Sequence, residues 1–277
     1  MTAELFDSHA HVDGPEFDAD REAVLARARE AGVRRMVVIG AVGDPSSAER
    51  SVAMAESDPN IWATIATHPH DVEKMTPDWW ATHERLAPHP RVVAIGETGL
   101  DYYYDHSPRD AQQAAFRRFI ELAHRVNKPV VCHIRSVKED ATRQVPSGIQ
   151  DAHEDARRIL REEKALDLGV VIHCFTGTPD DAKAYAEMGC YVSFSGIVTY
   201  KTAQALRDAV PHVPRERLMI ETDCPYLAPL PMRGKRNEPG FVKHTAEVVA
   251  RCAGLSFEDL ARITTENACR VYRLTNG

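Results

Sequence analysis

Eight short apolar segments rich in β-branched residues alternate along the chain with longer segments of helical periodicity. In DADREAVLARAREAG, for example, apolar residues recur at spacings of three and four, which is typical of an amphipathic helix. A repeated strand–helix unit predicts parallel strands with helices packed outside them. The expected strands are 5–10, 35–39, 61–67, 92–96, 129–134, 169–174, 190–195 and 218–222.

Eight such units favour closure into a (β/α)8 TIM-type barrel over an open doubly wound sheet. The GxGxxG motif of the open sheet is absent after the first strand. The length of 277 residues is close to the typical barrel size of about 250. Because no linker or change in composition divides the chain, residues 1–277 are expected to form one α/β domain. The closing segment TTENACRVYRLTNG is expected to be a final packing helix.

Composition and charge limit the functional classes. There is no run of about 18 apolar residues, and MTAELFDSHAHVDG lacks the basic and apolar regions of a signal peptide, so we expect a cytoplasmic protein without membrane contact. The six cysteines form no CxxC pair, which argues against a zinc ribbon or a disulfide framework. A net charge of −7 argues against a broadly basic face for nucleic acid, and leaves local attraction by bound metal or by a few cations.

Five of the predicted strands end in side chains that bind metals: LFDSHAH, VVAIGETGLD, PVVCHIR, GVVIHCF and RLMIETDCPYL. Strand side chains alternate between faces, and the carboxyl ends of barrel strands meet at one mouth. These side chains are therefore expected to converge on one metal centre. The candidate ligands are His9, His11, Glu97, His133, His173 and Asp223.

Six ligands exceed what one four-coordinate ion usually takes from a protein. Two divalent ions about 3.5–4 Å apart, bridged by a carboxylate, would use all six. Glu97 lies between the two histidine groups in chain order and is the expected bridge. Magnesium, manganese and zinc all remain open. Glu221, two residues before Asp223, would point inward but deeper and is expected to orient a ligating histidine.

Substrate contacts are predicted at the mouth of the barrel. Arg135 and His68 follow strands five and three and are the candidates for binding phosphate. Alternatively, Arg135 could pair with a carboxylate and His68 could cap its loop. The tyrosines at 102–104 could stack on a base or pack in the core. A basic group follows strand eight and forms either a phosphate-binding rim or a solvated face: Arg233, Lys235, Arg236 and Lys243.

The motifs DSHAH, GETGLDYYYD, HIR, HCFTG, ETDCPYLAP and PMRGKRNEP, in this order, resemble the TatD-type metal-dependent deoxyribonucleases, a family of amidohydrolase-like barrels. The resemblance extends from residue 5 to the last helix. It implies a two-metal hydrolase of phosphodiester bonds, usually a 3′-to-5′ DNA exonuclease, with nucleic acid as substrate and no obligate protein partner. Carried over, it places one metal on His9, His11, Glu97 and Asp223, and the second on His133, His173 and the shared Glu97. It also makes Asp223 the general base.

One segment departs from the family pattern, in which Asp-Ala follows the arginine of HxR directly. Here DAHEDARRIL appears only after a polar stretch, so residues 136–150 are interpreted as an insertion. It could be a lid, a substrate rim or a solvated loop without a role.

Two other functions use the same barrel. An amidohydrolase-type enzyme could cleave an amide or an ester, such as an aminoacyl ester, but the strand VVCHIR lacks the lysine that bridges the metals in some of these enzymes. A non-catalytic barrel subunit is the other alternative. The presence of all six ligand types argues against it, because a degenerate copy is expected to lose some.

Overall fold

The computed structural model describes residues 3–137 and 151–274 of the chain. Eight parallel strands follow one another in the order β1 to β8, each hydrogen-bonded to the next. The strands are β1 Leu5–Ala10, β2 Val33–Gly40, β3 Ile61–Ile65, β4 Val92–Asp101, β5 Val130–Arg135, β6 Val170–Ile172, β7 Tyr191–Phe194 and β8 Leu218–Ile220. Seven of them lie within two residues of their predicted ends.

Backbone hydrogen bonds join the first strand to the segment that follows the last. The Asp223 N–H donates to the His9 carbonyl oxygen at 2.9 Å, and the His11 N–H donates to the Cys224 carbonyl oxygen at 2.8 Å. The predicted single-domain TIM barrel is therefore confirmed. The residues that close the barrel include three of the predicted ligands, so closure and the arrangement of the site depend on the same bonds.

Helices surround the strands. In the described residues they are α1 Arg21–Glu30, α2 Ser46–Ser57, α3 Pro77–Leu86, α4 Arg109–Val126, α5 Ala152–Glu162, α6 Pro179–Glu187, α7 Gln204–Ala209, α8 Val242–Ala253 and α9 Phe257–Val271. The last helix begins earlier than the segment 264–277 that was predicted, since Ser256 caps it by accepting a hydrogen bond from the Asp259 N–H. No helix of the described residues is both long and apolar enough to cross a bilayer.

The prediction for β4 was wrong at its carboxyl end, because the strand continues five residues beyond Gly96 to Asp101. Its glycines are needed for close approach to β5 and do not form a turn. Gly99 has a φ of +143°, and a Cβ there would lie 2.1 Å from the His133 carbonyl oxygen. The longer strand places two acidic side chains, Glu97 and Asp101, beside β5.

The predicted insertion lies mostly outside the described residues. Ser136 and Val137 follow β5 and are buried, whereas residues 138–150 are among those that the structure does not describe. The chain is described again from Asp151, whose carboxylate accepts hydrogen bonds from the first turn of α5. The role of the insertion stays a prediction.

Candidate metal centre

The six predicted ligands lie together at the carboxyl ends of the strands, and each lies in or directly after the strand predicted to carry it. His9 is in β1 and His11 directly follows it, Glu97 is in β4 and His133 in β5, His173 follows β6 and Asp223 follows β8. Five of the six residues are less than a tenth exposed, and His133 is half-buried. Such a concentration of buried polar side chains is costly unless they bind one another or an ion.

The Glu97 carboxylate stands between two groups of imidazoles. Its Oε1 lies 2.7 Å from His173 Nε2 and 2.9 Å from His133 Nδ1. Its Oε2 lies 3.4 Å from His9 Nε2 and 3.7 Å from His11 Nε2, and has no hydrogen-bond partner within the described residues. Oε1 also lies 3.3 Å from His68 Nε2, so each oxygen faces a different set of imidazole nitrogens.

The first group consists of His9, His11 and Asp223. The Nε2 atoms of the two histidines are 3.3 Å apart, and Asp223 Oδ1 lies 3.6 Å from His9 Nε2 and 3.4 Å from His11 Nε2. These donor atoms lie within 4.8 Å of one another. Converging imidazole nitrogens and a carboxylate fit a divalent transition metal or magnesium.

The second group consists of Glu97, His133 and His173, whose donor atoms also lie within 4.8 Å of one another. His133 Nδ1 and His173 Nε2 are 3.3 Å apart. The imidazole of His173 stacks on that of His9, with ring centres 3.8 Å apart. The two groups are therefore in direct contact, and the unpartnered Glu97 Oε2 together with the facing nitrogens fits a bound cation.

Both acidic donors are held in their ionised form. Burial alone would raise the pKa of Glu97, but the nearby His173 and other imidazoles outweigh it and hold that pKa well below its usual value. Burial also opposes ionisation of Asp223, and the hydrogen bond with His11 lowers the pKa of that carboxyl in spite of it. The site therefore presents negative charge to a cation.

Three of the ligand imidazoles respond in the opposite sense. Burial disfavours the charged ring of His173, but Glu97 and Glu221 outweigh burial and raise its pKa. Burial disfavours the charged ring of His11, but the hydrogen bond with Asp223 outweighs burial and raises the pKa of His11 to about 9. Asp101 acts in the same way on His133 and raises its pKa to about 9. Protons on these rings balance the carboxylates, and a divalent ion would replace them.

Glu221 lies behind His173, on the side opposite to Glu97. Its Oε1 is 3.2 Å from His173 Nδ1 and accepts a hydrogen bond from the Cys174 N–H at 2.6 Å. His173 is therefore contacted through both ring nitrogens. Such contacts fix the orientation of an imidazole and leave its Nε2 directed at Glu97.

Sequence reasoning missed Asp101. Its Oδ2 lies 3.0 Å from His133 Nε2 and 2.8 Å from His70 Nε2, and its Oδ1 accepts hydrogen bonds from the N–H groups of Tyr103 and Tyr104. The residue closes the GETGLD motif four positions after Glu97, in the same strand phase. That phase was the available signal, but the strand was predicted to end at Gly96.

His70 was also missed, although it belongs to the ATHPH motif that pointed to His68. Donor atoms of His68, His70 and His133 lie within 4.8 Å of one another. His68 Nε2 is 3.3 Å from Glu97 Oε1, and burial lowers the pKa of this imidazole to about 4. His68 thus lies at the mouth of the barrel, as predicted, among the buried donors.

A cavity of about 340 Å³ opens onto these donors and is lined by two of the three predicted substrate contacts, His68 and Arg135. The Arg135 guanidinium lies over the ring of Tyr103 at 4.4 Å and near that of Tyr104 at 4.9 Å. Its buried Nε has no hydrogen-bond partner within the described residues. A cation therefore lines the cavity beside the donor groups.

The third predicted contact, Arg233, is exposed and does not line this cavity. Its guanidinium lies over the ring of Tyr200 at 4.4 Å. Arg236 of the same loop binds Asp20 at 2.7 Å and lies over Phe17. At least part of the predicted basic rim therefore fastens the loop after β8 to the first βα loop.

The closed (β/α)8 barrel, with imidazole and carboxylate donors at the carboxyl ends of its strands, defines an amidohydrolase-like barrel. The model of the family described as TatD related DNase matches residues 6–273. The chain therefore belongs to the TatD family.

Individual relatives are similar to this protein over nearly the whole chain. The uncharacterized metal-dependent hydrolase YabD of Bacillus subtilis is 44% identical over 270 residues, which cover 98% of this chain and 99% of YabD. The 3′-5′ ssDNA/RNA exonuclease TatD of Pantoea vagans is 35% identical over 276 residues, which cover 98% of this chain and 100% of that protein. The crystal structure of YjjV, a TatD homologue from Escherichia coli, superposes with a TM-score of 0.87 at 26% identity, covering 99% of this chain and 100% of that one.

Proposed function

We propose that this protein is a phosphodiesterase that uses two divalent metal ions and removes nucleotides from the 3′ end of single-stranded DNA. The observation that carries the proposal is the Glu97 carboxylate, with Oε1 facing His133 and His173 and Oε2 facing His9 and His11. The choice of substrate is supported by relatives named as 3′-5′ ssDNA/RNA exonucleases, such as that of Pantoea vagans.

The residues have separate roles in this proposal. His9, His11, Glu97 and Asp223 would hold one ion, and His133 and His173 would hold the second with Glu97 shared. When bound, the ions supply Lewis acidity, which lets water act as a nucleophile near neutral pH and offsets charge developing on the phosphate. The proposed place of the substrate phosphate is the 340 Å³ cavity, which is lined by four of these side chains: His11, Glu97, His133 and Asp223.

Asp223 is the proposed general base. Its side chain is 13% exposed, which makes it accessible from the cavity, and its lowered pKa keeps it able to accept a proton at neutral pH. Its N–H donates to the His9 carbonyl oxygen, and its backbone φ of +58° lies in the left-handed region. Both features describe the backbone from which the carboxylate projects.

Two further residues act through the ligands, and one acts on the substrate. Glu221 orients His173 through Nδ1, and Asp101 orients His133 through Nε2. In this proposal Arg135 binds a substrate phosphate. The role is supported by its position on the cavity wall and by its Nε, which has no hydrogen-bond partner among the described residues.

The proposal is tested by digesting a 5′-labelled single-stranded DNA with protein that has been treated with chelator and then given magnesium, manganese or zinc. We expect shortening from the 3′ end that requires metal and is lost in Asp223→Asn. The matched control is Glu247→Gln, which changes an exposed carboxylate on α8. If no metal supports shortening of single-stranded or duplex DNA while an aminoacyl ester or a cyclic amide is cleaved, the amidohydrolase alternative replaces the proposal.

A further inference from the structure

Two tyrosines at the mouth of the barrel are exposed to solvent. Tyr104 and Tyr226, each 48% exposed, are the only large hydrophobic side chains in this class among residues 3–137 and 151–274. Both line the 340 Å³ cavity that opens onto the donor groups. A single exposed apolar side chain needs no explanation, but the convergence of both on the same cavity indicates a binding role.

The two rings stand on different sides of the donor cluster. Tyr226 follows β8 and contacts His11 edge to face, with ring centres 6.1 Å apart. Tyr104 follows β4 and contacts His70 edge to face at 5.5 Å. A substrate bound over the donors would therefore have one aromatic ring on the His11 side and another on the His70 side.

Each tyrosine is fastened to the site through its backbone. The Tyr226 N–H donates to the Asp223 carbonyl oxygen at 3.0 Å, and the Tyr104 N–H donates to Asp101 Oδ1 at 2.9 Å. These hydrogen bonds hold the backbone of each tyrosine in place relative to the donor groups. Ordering the rings on binding costs less conformational entropy than ordering a mobile loop.

The surroundings of Tyr104 suit a nucleotide. Its ring lies parallel to that of His106, at 5.5 Å and 6°, and perpendicular to that of Tyr103 at 4.8 Å. The Arg135 guanidinium lies 4.9 Å from the same ring. An aromatic platform next to a cation matches a base next to its phosphate.

Tyr226 has open volume on two sides. Besides the first cavity, it lines a neighbouring one of about 370 Å³, and the two cavities share His11, Val42 and Tyr226. Both volumes fall within the range of about 300–1,000 Å³ found for sites of small ligands. The second cavity is lined by four carboxylates and one arginine, so it has room for an uncharged base but would repel a phosphate.

We infer that Tyr104 and Tyr226 stack on unpaired bases on either side of the scissile phosphate and thereby select single-stranded ends. The inference rests on the proposed function and adds to it the residues that recognise the base. Stacking uses the face of a base and tolerates any sequence, so it gives strand selectivity without sequence selectivity. A base that is still paired cannot enter these cavities together with its partner strand.

The test measures binding and hydrolysis separately. Fluorescence anisotropy in chelator, where no metal-dependent cleavage occurs, compares three labelled oligonucleotides: an ordinary single-stranded 3′ end, one whose terminal nucleotide is abasic, and a blunt duplex. The proteins compared are the wild type, Tyr104→Ala, Tyr226→Ala and the matched Phe variants, which retain the ring. Hydrolysis of the same oligonucleotides is then followed after metal is added.

The wild type is expected to bind the ordinary end about tenfold or more tightly than the abasic or duplex end. The preference for the single-stranded end over the duplex end should fall in each Ala variant and be restored in each Phe variant. The preference over the abasic end should fall only in the variant whose tyrosine stacks on the terminal base. The inference is overturned if the wild type shows no preference, or if either Ala variant retains the full preference for the single-stranded end over the duplex end. Base preference without hydrolysis by any metal contradicts the proposed function alone, whereas metal-dependent hydrolysis without base preference contradicts this inference alone.

Discussion

Glu221 and His173 are joined behind the donor cluster, with Glu221 Oε1 3.2 Å from His173 Nδ1. The two residues come from the ends of β8 and β6, and the same Oε1 also accepts a hydrogen bond from the Cys174 N–H. Glu221 is fully buried, so it contributes to the site through this imidazole and not through solvent or substrate.

Replacing Glu221 with Gln should therefore weaken metal binding without removing a ligand. The neutral amide orients His173 less firmly and stabilises positive charge less, so we expect a 10- to 100-fold loss of metal affinity or activity, roughly the range for such contacts. Manganese affinity is measured by titrating chelator-treated protein with manganese, and the surface variant Glu247→Gln is the control. Unchanged manganese affinity in the Gln variant would show that His173 is oriented without Glu221.

Asp101→Asn should have a comparable effect on His133, the other histidine of the same group. Asp101 contacts His133 and His70 and raises the pKa of His133. With Asn, His133 becomes less basic and its ring less fixed, so activity is expected to fall by about 10- to 100-fold with only a small change in melting temperature. The contrary finding is a variant that melts as the wild type does and has full activity.

Gly99→Ala should disrupt the contact between β4 and β5. The new Cβ would meet the His133 carbonyl oxygen at 2.1 Å, and the φ of +143° also disfavours a side chain. We expect a loss of more than about 3 kcal/mol in the free energy of unfolding. Gly43→Ala is the control, because it shares a positive φ but has nothing within 4 Å of the added carbon; it should cost only about 1–2 kcal/mol. Equal urea midpoints for the two variants would refute the steric explanation.

His83 should make stability depend on pH below neutrality. Its Nε2 is 3.0 Å from the Thr67 hydroxyl, and burial lowers its pKa from 6.5 to about 4. The unfolded chain then binds more protons than the folded one between these values, so stability is present above pH 6.5 and is lost as the pH falls. The loss from this group is about 2 kcal/mol at pH 5.

The measurement is the difference in unfolding free energy between pH 7 and pH 5 for the wild type and His83→Asn. The variant cannot titrate at this position, so its difference should be smaller by about 2 kcal/mol. Equal differences in the two proteins would mean that His83 is protonated as easily in the folded state as in the unfolded state.

The fold was predictable because each strand is an apolar run followed by an amphipathic helix, a pattern that local periodicity reveals. Both ends of β1 were predicted correctly for this reason. β4 was not, because Gly96 and Gly99 resemble turn residues in the sequence. Their actual use, close approach to β5, depends on a neighbour that is distant in the chain.

The site was predictable to the same extent. His133 and His173 stand at the ends of apolar runs, so strand phase alone directs them to the mouth. Asp101 and His70 lie beyond the predicted strand ends, where phase no longer applies and the course of the chain is set by tertiary contacts. Arg135 was expected at the mouth and does line the cavity there.

The most direct test of the central claim is the number of divalent ions bound per chain, measured by calorimetric titration of chelator-treated protein with manganese. The account predicts two ions for the wild type and weakening of both in Glu97→Gln, because that carboxylate faces both groups of imidazoles. In Asp223→Asn it predicts that mainly one ion is weakened. A single ion in the wild type, or two ions bound with unchanged affinity by Glu97→Gln, would contradict a centre bridged by Glu97.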